Sequence, residues 1–340
     1  MQVSIGPARG TVFTTPIRAA GSDRDNAIRA FVRESNSAEG QSLKTRAVQQ
    51  LLEINPNLSA SQVRSIASFV NESTGIPGRS AKLDAVVKLF RLQPDLTPEA
   101  IGIIAGTVND SETLEGRITK LTGFLKLYQV NSDPNPEILR EIRSFVTGSN
   151  SSEGYRLKFD SLASMLKAQP KLSPAFVRSL SRLVDESTGI PGRQLKLQHV
   201  QTMLARQPDL NPALLDAVAS FVNESNSLEG RGLKLSSVNT LLKMNPDLTP
   251  EQMRSIASGV NSNQGLNSRR VALRGYEEIF KLNPDPAPEV LSGIGSLVGS
   301  ARTAEGKREY TELALGILQS DPDTPPGTFT YLARAAAAAP

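Results

Sequence analysis

The chain has no cysteine and no tryptophan, few aromatic residues (5%) and one histidine, His199. Without cysteine there is no disulfide, no thiolate metal ligand and no thiol nucleophile. His199 falls in the middle of an amphipathic stretch and reads as structural, which leaves no Ser-His-Asp set and no multi-histidine metal site. Walker-type phosphate loops are missing, and the nearest approach, GIPGR, lies in a helix turn rather than after a strand. Carboxylate pairs such as Glu277-Glu278 occur, but nothing sets them in a pocket. No run of ~20 apolar residues is available to span a membrane. The net charge is only +4, well short of the excess carried by a dedicated nucleic-acid binder. These absences point to a non-enzymatic chain with no cofactor.

What is present is a repeat. A 38-residue unit recurs without insertion from Leu58, Leu96, Pro134, Leu172, Leu210, Leu248 and Pro286, after a less regular copy from Ala20 and before a half copy from Thr324. A fixed period of this length is the mark of stacked supersecondary units. In the unit beginning at Leu210, Asn211-Pro212 supplies a capping side chain and a proline at the first helical position. Leu215, Val218, Ala219 and Val222 then form one apolar stripe, and Leu235, Val238, Leu241 and Leu242 a second. Between the stripes, Asn223 to Gly230 is rich in Ser, Asn, Glu and Gly and reads as a turn. Asn245-Pro246 ends the second helix, because a residue before proline is pushed out of the helical region.

One stripe position is valine in every copy: Val32, Val70, Val108, Val146, Val184, Val222, Val260 and Val298. Four residues earlier stands Ile28, Ile66, Ile104, Ile142, Leu180, Val218, Ile256 or Ile294. Helix pairs this short bury both stripes only by stacking on their neighbours. The expected fold is therefore all-α, a right-handed superhelical α-solenoid of tandem two-helix repeats with 17 helices. It divides into a flexible lead (1–19), an N-terminal capping repeat (20–57), seven helix-pair repeats (58–323) and a C-terminal capping half-repeat (324–340), in which Phe329, Leu332, Ala333 and Ala336 form the last stripe.

Charge is also periodic. The turn ends in Gly40, Gly78, Gly116, Gly154, Gly192, Gly230 or Gly306, with Ser268 the exception, and the glycine suggests a positive φ or a close approach of chain. Arg79, Arg117, Arg193, Arg231 and Arg269 follow it, with Lys82, Lys120, Lys158, Lys196 and Lys234 three residues further along their own units. One reading is a ladder of cations facing a phosphate backbone or an acidic partner. The other pairs these cations with acids of the same turns: Glu34, Glu72, Asp110, Glu186 and Glu224, or Glu39, Glu115, Glu153, Glu229 and Glu305. Turn triplets such as Thr74-Gly75-Ile76, Glu112-Thr113-Leu114 and Asn226-Ser227-Leu228 vary between units. Their third member is expected to tuck inward and the first two to face a partner.

Leu248 to Ser258, LTPEQMRSIAS, resembles the first helix of TAL-effector-type repeats, with Leu96-Thr97-Pro98-Glu99 and an echo at Ser65 to Ser68. The resemblance implies a solenoid that wraps DNA and reads bases with turn residues. It covers under a third of a unit. The Gly-Gly-Lys-Gln start of that family's second helix is absent, and Phe221-Val222 stand where bases would be read, so no base-reading residue carries over. NESTGIPGR at Asn71 and DESTGIPGR at Asp185 also suggest duplication of a three-unit block. The expected function is a monomeric scaffold binding a protein partner, with nucleic acid as the alternative and no membrane. Its location is cytoplasmic, or within a host cell after export without a cleaved Sec signal: the polar start, Met1 to Gly21, resembles the composition of bacterial type III secretion signals.

Overall fold

The computed structural model describes residues 22–338, apart from positions 74 and 188. The flexible lead expected at 1–19, and with it the secretion-like start, lies outside the described residues. Among the described residues there are seventeen helices and no strand. The first helices of the units are α1 (Asp23–Arg33), α3 (Ala60–Asn71), α5 (Pro98–Asn109), α7 (Pro136–Thr147), α9 (Pro174–Asp185), α11 (Pro212–Asn223), α13 (Pro250–Asn261), α15 (Pro288–Ser300) and α17 (Pro326–Ala338). The second helices are α2 (Ala38–Ile54), α4 (Ile76–Leu92), α6 (Leu114–Val130), α8 (Ser152–Ala168), α10 (Ile190–Arg206), α12 (Leu228–Met244), α14 (Leu266–Leu282) and α16 (Ala304–Ser320).

Local chemistry sets the boundaries. Asn135, Ser173, Asn211 and Thr249 cap first helices by accepting backbone N–H bonds, each just before a proline. Thr249 and Gln252 bond reciprocally to close a capping box. Second helices end at residues in extended conformation, such as Asn245 with φ −128°. These caps also tie units together: the Asn55 side chain donates to the Pro94 carbonyl at 2.9 Å, and Gln62 to the Leu96 carbonyl at 2.8 Å.

The chain forms two compact units, one ending at Ile101 and the other starting at Gly102, inside α5. In the first, α1 packs on α3 and α2 on α4. In the second the same rule runs from α6·α8 and α7·α9 through α14·α16 and α15·α17. First helices therefore stack on first helices and second helices on second helices, with the core between the two layers. The stripe valines from Val70 to Val298 and their partners from Ile66 to Ile294 are buried, and only Val32 and Ile28 of the opening copy are half-exposed.

Candidate anion-binding ladder: a buried lysine spine

Each second helix opens on an N-cap at the middle residue of the variable triplet. Ser37, Thr113, Ser151, Ser227 and Thr303 accept from the N–H of Gly40, Gly116, Gly154, Gly230 and Gly306, all near 3.1 Å. The glycine is thus the third residue of a regular helix. Gly265 is the one positive-φ glycine among the described residues (φ 81°), so a left-handed turn is not what selects the others. Space is: a Cβ on Gly154 would lie 2.9 Å from Ser149 Cβ, and one on Gly230 would lie 3.0 Å from Ser227 Oγ. Leu114 and Leu228, the third members of their triplets, are exposed rather than tucked in. Thr74 is outside the described residues.

The lysine half of the ladder is turned inward. Lys82, Lys120, Lys158, Lys196 and Lys234, and Lys44 before them, are at most 1% exposed. Each ammonium donates to a carbonyl thirteen residues back, in the last turn of the first helix of its own unit. These bonds are 2.7 Å to Phe31 and Phe69, 2.8 Å to Thr107, and 2.6 Å to Leu183 and Phe221, with Lys158 bonded likewise to Phe145. Lys44, Lys196 and Lys234 also donate to the Oδ1 of Asn71, Asn223 and Asn261 on the following unit, at 2.6–2.7 Å, and Lys158 pairs there with Asp185. The lysine starts near a helix N-terminus, where a cation opposes the macrodipole, but its charge ends at the C-terminus of the neighbouring helix, where the macrodipole favours it.

An aromatic ring faces most of these ammoniums. Lys44, Lys82, Lys158 and Lys234 lie 4.5–4.9 Å from the centroids of Phe31, Phe69, Phe145 and Phe221. Where Thr107 replaces the phenylalanine, Tyr155 of the next unit supplies the ring, 4.4 Å from Lys120; it stands in the position held by arginine in five other units. The spine breaks at Ala272. There Gly259 takes the phenylalanine position, and a Cβ on it would lie 2.0 Å from Tyr276 Oη, which fills the space and donates to the Leu291 carbonyl. Lys307 reaches back to the Asn263 side chain instead.

Burial lowers the pKa of Lys44, Lys120, Lys158 and Lys307, and takes Lys196 and Lys234 down to about 8. Neighbouring arginines reinforce the shift at Lys44, Lys120, Lys158, Lys196 and Lys234. Of the turn acids, Glu34 approaches Lys44 at 3.9 Å.

The arginine half remains half-buried at the surface. Arg79, Arg117, Arg231 and Arg269 each donate Nε to the carbonyl six residues back, at 2.8–3.0 Å from Ser73, Ser111, Ser225 and Asn263. Arg193 instead approaches Ser149 Oγ at 3.4 Å. The reading of a continuous two-cation ladder is therefore corrected: its lysines are interior, with Lys44, Lys120, Lys158, Lys196 and Lys234 clasping the following unit, and only its arginines face outward.

His199 makes a 2.8 Å contact with Asn239 Nδ2, and burial lowers its pKa. Among the described residues no cluster of His, Asp or Glu could hold a metal ion, and no helix is long and apolar enough to cross a membrane. The fold and spine define the class as an all-α tandem repeat of helix pairs. No protein-family model matches this chain, and a search of curated proteins finds no relative.

Proposed function

We propose that this chain is a non-catalytic, monomeric scaffold that holds a protein partner along its stacked repeats. The observation that carries this reading is the burial of the lysine series, because phosphate recognition depends on exposed cations that release counterions. What stays on the surface is a mixture of signs: Arg143–Asp110, Arg178–Glu141 and Arg182–Asp216 pair between successive repeats. Extended mixed surfaces on stacked repeats commonly bind proteins, and that part of the reading is by analogy of architecture. The secretion-like composition of Met1 to Gly21 extends the proposal to an effector working inside a host cell. A reporter fused to those residues is expected to leave the bacterium through a type III apparatus, and its retention would reject that extension.

A TAL-effector-like nucleic-acid solenoid is the second reading, favoured by the outward Arg79, Arg117, Arg231 and Arg269, which among the described residues bond through Nε alone. Against it, Phe221 and Val222, at the base-reading positions, are both 0% exposed. Titration of the purified chain with random duplex DNA and RNA, from low to physiological salt, separates the two. The scaffold reading expects weak binding at most. Submicromolar affinity that falls steeply with salt, and is lost on charge reversal of Arg117, Arg193, Arg231 and Arg269, would overturn it.

A further inference from the structure

The outer surface of α6 carries isoleucine, Ile118, where the other second helices have Ser, Arg, Gln or Gly. Leu114 and Ile118, one turn apart, are 42% and 44% exposed, and residues four apart share a helix face. Beside Ile118 a pocket of about 170 Å³ opens between α6 and α8. Its base is made by Gly123 and Phe159: a Cβ on Gly123 would lie 2.2 Å from Phe159 Cγ, so the ring rests on the backbone of α6. The other units carry leucine or threonine where Phe159 stands, which makes the pocket particular to this one.

The charges around it are sorted. Arg156, on the pocket wall, is exposed and makes no hydrogen bond or ion pair among the described residues. Lys126, also on the wall, pairs with Asp160 at 2.5 Å. Toward the turns, a polar groove of about 470 Å³ holds Glu112, Glu115 and Asp110, of which Asp110 pairs with Arg143 at 3.3 Å. Arg156 thus stands at the edge of the apolar opening nearer the turn, with the acids of the turn beyond it. A uniformly anionic chain such as a phosphate backbone meets repulsion at the turn, whereas a peptide can match both signs.

We propose that the α6–α8 groove docks an extended peptide segment of a protein partner. One aliphatic side chain of the segment enters the pocket, a carboxylate next to it on the turn side meets Arg156, and a cation beyond that meets Glu112 and Glu115. The proposal rests on the scaffold reading and adds the place and chemistry of contact.

A random-peptide phage library panned on the full chain tests it, followed by fluorescence anisotropy with the labelled consensus peptide. Expected is a consensus that runs, in either chain direction, from an aliphatic residue through an acid to a base. Its affinity should fall about tenfold or more in Ile118→Ser and again in Arg156→Gln, with helical circular dichroism unchanged because both side chains are exposed. Selected peptides that lack this pattern, or that bind both variants as well as the native chain, overturn the groove as the site while leaving the scaffold reading intact. Failure to select any peptide overturns the groove, and if labelled single-stranded DNA binds in its place the scaffold reading falls with it.

Discussion

A lysine ammonium carried among aliphatic side chains loses its water, and it stays charged only if the protein replaces those bonds. The spine replaces them with a helix-terminal carbonyl, an Asn or Asp oxygen and, in most units, a ring face. Removing the amine leaves two acceptors without donors. In Lys234→Met the stem still packs, but the Phe221 carbonyl and Asn261 Oδ1 are orphaned, so stability at neutral pH is expected to drop by about 2 kcal/mol in chemical denaturation. The pH dependence has a defined sign. Lys196 and Lys234 titrate near 8 when folded, against 10.5 for the unreacted side chain, so between these values the unfolded chain holds protons that the folded chain has released. Stability should therefore rise with pH from about 8 toward 10, and the double variant Lys196→Met/Lys234→Met should flatten that slope. An unchanged slope would mean that the spine is not its source. Burial raises the pKa of Tyr128 and Tyr276, which works the other way only at still higher pH.

At the scale of the helix, regular capping makes the elements, while small residues decide how closely they meet. The 17-residue second helices tolerate glycine at their third position because the turn serine and the N-cap hydroxyl crowd it. Gly123 lies deeper, in the middle of α6, where glycine costs about 1 kcal/mol relative to alanine. Its compensation is Phe159, which packs edge-to-face on Phe124 with centroids 5.1 Å apart. Gly123→Ala should consequently lower stability by about 1–3 kcal/mol despite the better helix propensity. Adding Phe159→Leu, the residue most units use there, should recover part of that loss. A stabilised Gly123→Ala single variant in thermal melts would show that the ring moves aside freely.

Within each of the two compact units, helices contact their layer neighbours and, in most repeats, their own partner helix. Stability in such an arrangement is a sum of unit and nearest-neighbour terms, and each lysine clasp contributes to one of the latter. The change of chemistry at Ala272, Gly259 and Tyr276 shows that a clasp can be exchanged for a packed tyrosine without interrupting the stack. At this scale a partner's choice would lie where units differ, as at the α6–α8 groove, rather than in the features they share.

Period, helix number, cap positions and core stripes were legible from the sequence, because proline, Asn/Ser/Thr caps and aliphatic spacing act locally and recur in every unit. The acceptors of the spine were written there too, in Asn71, Asn223 and Asn261, but as part of an apparently solvated turn. Only the tertiary structure decided which cations face inward. A long lysine side chain emerging from an early turn of a helix can reach either solvent or the neighbouring helix's last carbonyls, and sequence spacing is the same in both cases. Burial against the adjacent unit settled that choice for the lysines, while the arginines, all but Arg193 tied to their own turn by Nε, stayed at the surface.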